Sequence, residues 1–106
     1  MPTVLIADDN AVSLQFLAEA VRACGYSVHT ASDGAQALRL ASEQRFDVLL
    51  LDLSMPELGG EDVVRRLRND GNTASRDAIF IATSADLAAS RHAALRASGF
   101  ADAIAK

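Results

Sequence analysis

The sequence has no tryptophan, two prolines and one cysteine among its 106 residues. The lone cysteine, Cys24, excludes an internal disulfide, and its position in a helical apolar pattern predicts a small core residue in a reducing compartment. The first residues form too short an apolar run for a signal peptide, and no stretch approaches about eighteen consecutive apolar residues. We therefore expect a cytoplasmic protein that does not enter the membrane.

Charge and length exclude two further classes of protein. Ten basic residues against fourteen acidic ones give a net charge of −4, which is the wrong sign for neutralising nucleic-acid phosphates. We therefore expect no direct binding to DNA or RNA. A chain of this length forms one domain with a single thin core, which excludes a multidomain enzyme.

Short runs rich in Val, Leu, Ile or Phe alternate with longer stretches whose apolar residues recur at helical spacing. The short runs, which we interpret as strands, are residues 3–7, 27–31, 47–51, 78–83 and 100–105. Four helices are expected between them, and the fourth is faint because alanine blurs its period. This alternation predicts a doubly wound, five-stranded parallel sheet with helices on both faces, in three α/β/α layers. Ligands of such sheets bind at the carboxyl ends of the strands.

The ends of the predicted strands carry a selective set of polar residues. They are Asp8 and Asp9 at the first strand, Asp52 at the third, Thr83 and Ser84 at the fourth, and Lys106 at the fifth. If the first and third strands are neighbours, three carboxylates converge, and each pair at about 5 Å repels by roughly 3 kcal/mol in an effective dielectric near 20. Helix capping explains one of the two adjacent aspartates, but it does not explain Asp52, which follows four apolar residues. The cluster therefore indicates a functional site.

A hard divalent cation relieves such repulsion, and Mg²⁺ is commonly held by one or two carboxylates together with a phosphate. A carboxylate in this setting can attack phosphorus and form an aspartyl phosphate. The added negative charge then needs a hydroxyl donor and a cation, roles that suit Ser84 or Thr83 and Lys106. Lys106 is the only lysine beside nine arginines, which favours selection for its compact ammonium group.

Together these residues resemble the receiver domain of two-component response regulators. The pair Asp8-Asp9, Asp52 in the segment DLSMPELGG, the hydroxyl–alanine pair at Ser84, and Lys106 match that family in order and spacing along the whole chain. The resemblance implies a flavodoxin-like fold with strand order 2-1-3-4-5. It also implies a phosphorylation-dependent switch in a phosphorelay, and not an enzyme acting on other substrates.

The resemblance assigns roles to the acidic residues. Asp52 accepts a phosphoryl group from the histidine of a sensor kinase or of a histidine phosphotransfer protein. Asp9, Asp52 and the backbone carbonyl of Ser54 bind Mg²⁺ directly, whereas Asp8 acts mainly through a bound water. The full-length protein would carry an output domain or be a hybrid kinase.

The resemblance also assigns the phosphoryl contacts, with two departures from the family pattern. Ser84 donates a hydrogen bond to the phosphoryl group, with Thr83 as the alternative donor, and Lys106 pairs with it. Many receivers have an aromatic residue three positions before this lysine, but here that residue is Ala103, so the usual aromatic switch is absent. The sequence also stops at Lys106, where the family normally continues with a proline and a fifth helix.

The missing fifth helix leads to an expectation about the surface. We expect residues 1–106 to be a receiver domain truncated after strand five, with one sheet face partly uncovered near Phe80 and Ile104. Such a face favours self-association or lowers the stability of the domain.

Three other interpretations share parts of this pattern. A phosphatase of the haloacid dehalogenase type also uses an aspartyl phosphate, but its nucleophile strand comes first and a second aspartate lies two residues on, where this chain has Ser54. A flavodoxin-like electron carrier needs a phosphate loop after strand one, where ADDN repels phosphate. A receiver fold kept only as a docking module fits the absent aromatic residue, while the complete acid cluster argues against it.

Overall fold

The computed structural model describes residues 2–69, 74–75, 77–84 and 94–105. Strands and helices alternate along this part of the chain, and residues 94–97 are also helical. The elements are β1 (Thr3–Ala7), α1 (Ala11–Ala23), β2 (Ser27–Ala31), α2 (Gly34–Glu43), β3 (Val48–Asp52), α3 (Gly60–Asn69), β4 (Ile79–Ser84) and β5 (Asp102–Ala105). The expected fourth helix lies partly outside the described residues, as does Lys106.

The five strands form one sheet in the order β2-β1-β3-β4-β5, and every neighbouring pair is parallel. The predicted fold class and strand order are therefore confirmed. The bounds of β1 and β2 match the prediction, whereas β3 and β4 each begin and end one residue later and β5 begins two residues later. The shift of β3 makes Asp52 the last residue of the strand rather than the first residue of the following loop.

Local sequence explains how α1 begins and ends. The side-chain oxygen of Asn10 accepts hydrogen bonds from the backbone N–H groups of Val12 and Ser13, which caps the first turn. At the other end, the N–H of Gly25 donates to the carbonyl of Arg22, and Gly25 adopts a φ of 95°. A glycine is needed there because that left-handed conformation strains residues with a Cβ. Asn10 and Gly25 therefore fix the length of the helix that follows the acid pair.

Strand alternation divides the core between the two faces of the sheet. Leu49, Leu51 and Phe80 pack with the buried residues of α2 and α3, such as Ala37 and Val63. A smaller second cluster on the opposite face consists of Val4, Ile6, Ala18 and Leu50, with Leu14, Leu17, Val21, Val28, Val48 and Ile81 packed against it. Because the cluster on the α1 side is smaller, that face holds less buried apolar surface.

The face that carries α1 is partly open. The large apolar side chains exposed on the described surface are Val12, Phe16, Tyr26, Ile79 and Ile104. Tyr26, Ile79 and Ile104 line a groove of about 810 Å³. Val12 and Phe16 line a second groove of about 380 Å³, which also includes Ile104. The expected opening near Ile104 is therefore confirmed, because 45% of that residue is exposed.

Two expectations about individual side chains are wrong. Phe80 is 2% exposed, since alternation along β4 directs it with Leu49 into the core under α2 and α3. Cys24 is exposed, because it is the residue that caps the carboxyl end of α1 and lies beyond the apolar face of the helix. Among the described residues, no helix is long and apolar enough to cross a membrane.

Candidate functional site

Three carboxylates meet at the carboxyl edge of the sheet. β1 and β3 are hydrogen-bonded neighbours, so Asp8, directly after β1, and Asp52, at the end of β3, stand side by side. One carboxylate oxygen from each of Asp8, Asp9 and Asp52 lies within 4.8 Å of the other two. The predicted convergence is therefore found in the structure, and strand order is its cause.

The cluster is electrostatically costly because two of its members are buried. Asp8 is 0% exposed and Asp52 is 1% exposed, while Asp9 faces solvent. At the upper limit of 4.8 Å, two unit charges repel by about 3.5 kcal/mol in an effective dielectric of about 20. This donor set, three carboxylates with one side open to water, fits a hard divalent cation such as Mg²⁺.

Backbone amides fix the orientation of the two buried carboxylates. The N–H of Asn10 donates to Asp8 Oδ1 at 2.9 Å, and the N–H of Ser54 donates to Asp52 Oδ1 at 3.0 Å. In both cases the donor lies two residues after the acid, the geometry of an Asx turn. Each carboxylate is therefore held by the start of its own loop.

Two hydroxyl residues end the neighbouring strand β4. Thr83 is the register partner of Asp52, and its carbonyl accepts from the N–H of Leu53 at 3.0 Å. The buried Thr83 Oγ1 has no hydrogen-bond partner within the described part of the chain. Ser84 is the last residue of β4 and is 6% exposed. Both candidate hydroxyl groups thus lie at the edge where the acids converge.

The remaining predicted site residues are placed as follows. Ser54 is exposed in the loop directly after Asp52. Ala103 is partly buried in β5, beside Ala82 of β4, and packs against the core under α2 and α3. A small side chain therefore stands where many receivers have an aromatic one.

The sequence did not reveal a close backbone contact between Gly34, at the start of α2, and the loop that follows Asp52. A Cβ on Gly34 would overlap the carbonyl oxygen of Leu58, in the loop that follows Asp52. The signal was present as a glycine at the first position of a helix, but its partner lies 24 residues further along the sequence.

A family model settles the identity of this fold and site. The model of the response regulator receiver domain matches residues 4–106. The chain belongs to this family. The receiver domain carries at Asp8, Asp9 and Asp52 the acidic pocket typical of phosphoacceptor sites.

Curated relatives of this receiver domain include two regulators of Mycobacterium tuberculosis. The transcriptional regulatory protein PrrA is 48% identical over 67 residues, which cover 63% of this chain and 29% of PrrA. The probable transcriptional regulatory protein TcrX is 35% identical over 97 residues, which cover 92% of this chain and 40% of TcrX. The receiver domain therefore spans less than half the length of these regulators.

A solved structure adds a relative with a metal. It is the receiver domain of the sensor histidine kinase PA1611 from Pseudomonas aeruginosa, described with a magnesium ion coordinated in its active-site cleft. The two chains are 34% identical with a TM-score of 0.85, and the match covers 99% of this chain and 84% of the other. Receiver domains similar to this one thus occur both in transcriptional regulators and in sensor kinases.

Proposed function

We propose that this receiver domain is a phosphorylation-dependent switch in a two-component phosphorelay, with Asp52 as the phosphoacceptor. The observation that carries the proposal is a buried Asp52 within 4.8 Å of two further carboxylates, at the carboxyl edge of a receiver-type sheet. Burial and crowding of like charges carry a cost in any domain, which favours a functional reason for this arrangement. Asp52 is the last residue of a buried strand and accepts a hydrogen bond from the Ser54 amide, which fixes the reacting group.

The proposed reaction is transfer of a phosphoryl group from a phosphohistidine to Asp52. A carboxylate oxygen of Asp52 attacks phosphorus as the P–N bond to the imidazole breaks, and the leaving nitrogen keeps the electron pair. The reaction depends on positioning and charge neutralisation more than on a protein base. Self-directed transfer and later hydrolysis of the aspartyl phosphate are the only chemistry that the proposal includes.

The proposed contacts with the metal ion and the phosphoryl group are made by the acid cluster and the residues beside it. Asp9, Asp52 and the backbone carbonyl of Ser54 would hold Mg²⁺, and Asp8 would act mainly through a bound water. When bound, the ion neutralises the acids and the charge that develops on the phosphoryl oxygens. Ser84 would donate a hydrogen bond to the phosphoryl group.

Lys106, the proposed partner cation of the phosphoryl group, lies outside the described residues. Its place in the proposal follows from the sequence, where it comes directly after β5. β5 is parallel to β4, so its carboxyl end is at the same edge of the sheet as Ser84.

The donor is a sensor histidine kinase or a histidine phosphotransfer protein, and the exposed apolar residues of α1 supply a surface for it. Val12 is 79% exposed and Phe16 is 71% exposed, one helical turn apart on the helix that starts just after Asp9. Exposed large apolar side chains next to a reactive group favour a protein partner. In this scheme the domain acts in the cytoplasm, as part of a longer regulator or of a hybrid kinase.

The proposal is tested by phosphorylation with a small donor. Incubation with acetyl phosphate and Mg²⁺ should add one phosphoryl group, detected by intact-mass spectrometry, and the Asp52→Asn variant should gain none. Asp47→Asn is the matched control, because Asp47 is exposed and its Oδ2 only accepts a backbone bond from Thr3. That variant should be modified at the rate of the parent, and EDTA should abolish modification in every sample.

The outcomes separate the proposal from its alternative. Phosphate gain by Asp52→Asn at the rate of the parent would overturn the assignment of the phosphoacceptor. A parent that remains unmodified, and that does not bind beryllofluoride with Mg²⁺, would favour a docking module that keeps the receiver fold. Ala103, in place of an aromatic residue, is the feature that favours this alternative.

The partner surface has its own test. Phe16→Ala should slow phosphoryl transfer from a purified histidine phosphotransfer protein while leaving modification by acetyl phosphate unchanged. Tyr26→Ala is the control, because Tyr26 is also exposed but lies beyond the far end of α1. Equal effects of the two variants on transfer from the protein donor would contradict docking at α1.

A further inference from the structure

The first residue of α2 lies against the loop that follows the phosphoacceptor. A Cβ built on Gly34 would overlap the carbonyl oxygen of Leu58 and stand 2.8 Å from its carbonyl carbon and 3.0 Å from its Cβ. Gly34 itself is buried, and Leu58 is 9% exposed. Two of the three close atoms belong to the backbone, so a side-chain rotation cannot relieve the overlap. Only a residue without a Cβ allows this approach.

The loop between Asp52 and α3 has little freedom to adjust elsewhere. The N–H of Leu58 donates to the carbonyl of Pro56 at 2.7 Å across Glu57, which has a φ of 65°. This bond closes a three-residue turn of a type that is rare for residues other than glycine. The turn restrains the backbone amide of Leu58, the residue whose carbonyl lies against Gly34.

Behind the turn, the loop folds back on the strand that carries the acceptor. A Cβ on Gly59 would stand 2.9 Å from the carbonyl oxygen of Leu53, and one on Gly60 would stand 3.0 Å from that of Asp52. The residues directly after Leu58 thus lie against the backbone of Asp52 and Leu53. These contacts connect the loop at Leu58 with the end of β3.

The start of α2 is held by side-chain hydrogen bonds of its own. Asp33 caps the helix by accepting from the N–H of Gln36 at 2.7 Å. The side chain of Gln36 in turn accepts from the N–H of Ser32 at 2.9 Å and from its hydroxyl at 3.2 Å. This reciprocal pattern resembles a capping box and anchors the helix to the end of β2. A side chain added at Gly34 would therefore displace the loop rather than the helix.

We propose that Gly34 is a positioning residue for the phosphoacceptor site. Its bare Cα lets the Leu58 carbonyl approach α2, which sets the depth of the loop and so places the Asp52 carboxylate and the Ser54 backbone. Gly34 has no side chain with which to bind Mg²⁺ or a phosphoryl group. The inference rests on the proposed function in one respect, since it assumes that Asp52 and Ser54 bind the ion.

The test compares two glycine variants that both lower stability. Gly34→Ala introduces the overlap with Leu58. Gly25→Ala introduces strain at a φ of 95° beyond the end of α1, where an added Cβ meets nothing within 4 Å. Isothermal titration with Mg²⁺ measures affinity, and urea unfolding in EDTA measures the stability of each variant. Hydrogen exchange of the Ser54 amide, which donates to Asp52 Oδ1, reports on the loop without any metal.

Gly34→Ala should weaken Mg²⁺ binding by about tenfold to a hundredfold, the range seen when groups that support metal ligands are removed. It should also speed exchange of the Ser54 amide. Gly25→Ala should lose stability while it keeps the Mg²⁺ affinity and the exchange rate of the parent. Parental affinity in a Gly34→Ala protein that is destabilised like Gly25→Ala would overturn the positioning role and leave the proposed function standing. A parent protein that does not bind Mg²⁺ would overturn both.

A second variant covers the case in which Gly34→Ala does not fold. The double variant Gly34→Ala/Glu57→Gly replaces the residue at φ 65° by one that adopts this conformation freely. The loop can then move away from the added methyl group, and the protein should fold. Its Mg²⁺ affinity should still fall well below that of a Glu57→Gly single variant. Equal affinities in these two proteins would refute the role of Gly34.

Discussion

The cost of the acid cluster can be measured by removing one of its charges. Asp8→Asn keeps the side-chain oxygen that accepts from the Asn10 amide but removes the charge that lies within 4.8 Å of Asp9 and Asp52. The Asp8–Asp52 pair dominates, because both residues are buried whereas Asp9 faces water. At this separation the pair repels by about 3.5 kcal/mol in an effective dielectric of about 20. Local rearrangement in the parent reduces this value, so we expect a gain in stability of about 1–3 kcal/mol.

The expected gain applies to the metal-free protein. Urea unfolding in EDTA, followed by circular dichroism, should show a higher free energy of unfolding for Asp8→Asn, equivalent to a rise in Tm of about 5–15 °C for a domain of this size. Added Mg²⁺ should stabilise the parent by mass action and stabilise the variant far less. The variant should therefore be the more stable protein without the ion, with a smaller difference at saturating Mg²⁺.

Asp33→Asn is the control for the change in net charge. Asp33 is exposed at the start of α2, outside the acid cluster, and asparagine can still accept the capping bond from Gln36. This variant should differ little from the parent in stability and respond to Mg²⁺ as the parent does. The reasoning is refuted if Asp8→Asn in EDTA is less stable than Asp33→Asn, because the cluster would then not be a source of repulsion.

Four further predictions follow from other features. Ser84→Ala should leave Mg²⁺ affinity near the parental value and weaken beryllofluoride binding, both measured by calorimetry. A larger loss of beryllofluoride binding in Thr83→Val would show that Thr83, and not Ser84, contacts the phosphoryl group. Ser75→Ala should lower the free energy of unfolding, measured by urea titration, by about 2–4 kcal/mol. The reason is that the buried Ser75 hydroxyl accepts a hydrogen bond from the Phe46 amide and donates one to the Gln44 carbonyl. Ser98→Ala, which removes an exposed hydroxyl, should lower it far less. Replacing Ser54, exposed beside Asp52, should alter the lifetime of the aspartyl phosphate, and an unaltered decay measured by mass spectrometry would contradict this. A protein of residues 1–106 should either self-associate or have a lower Tm than the same protein with a fifth helix added. Light scattering that shows a monomer over about a hundredfold concentration range, together with an unchanged Tm on adding the helix, would rule this out.

The sequence predicts those site residues that stand at the end of a single recognisable strand. Asp8 and Asp52 each follow an apolar run, and the pairing of β1 with β3 brings them together. The apolar pattern left that pairing open, and the resemblance to receiver domains supplied it. The bounds of β1 and β2 were equally readable, because turn residues and polar loops flank both runs. The preference for Ser84 over Thr83 came from the resemblance, through the alanine that follows Ser84, and it stays a prediction. The register pairs Thr83 with Asp52, while Ser84 extends past the last residue of β3.

Other features depend on surroundings that a local pattern does not contain. The apolar period of α1 continues into Cys24, but the helix ends before that residue, which therefore lies at the surface. Apolar residues fill both faces of β4, so the sequence shows no alternation from which the face of Phe80 could be predicted. The expectation that Phe80 lies on the open face is wrong for this reason. Burial of Phe80 beside Leu49 follows from the pairing of β3 with β4, which becomes known only when the strands are assembled.

The contact of Gly34 with Leu58 also depends on surroundings that a local pattern does not contain. A glycine at the start of a helix carries no local sign that a carbonyl 24 positions later lies against it, because the approach exists only after α2 and the loop have packed together. The acids proposed to bind the ion are also separated in the sequence, but their charge marks them as candidates. A glycine carries no charge that would single it out. Its importance is recognised only when the packed structure shows that a Cβ at its position would overlap another residue. Residues that allow close backbone contact are therefore found from the packed structure, while residues that act through charge are found from the sequence.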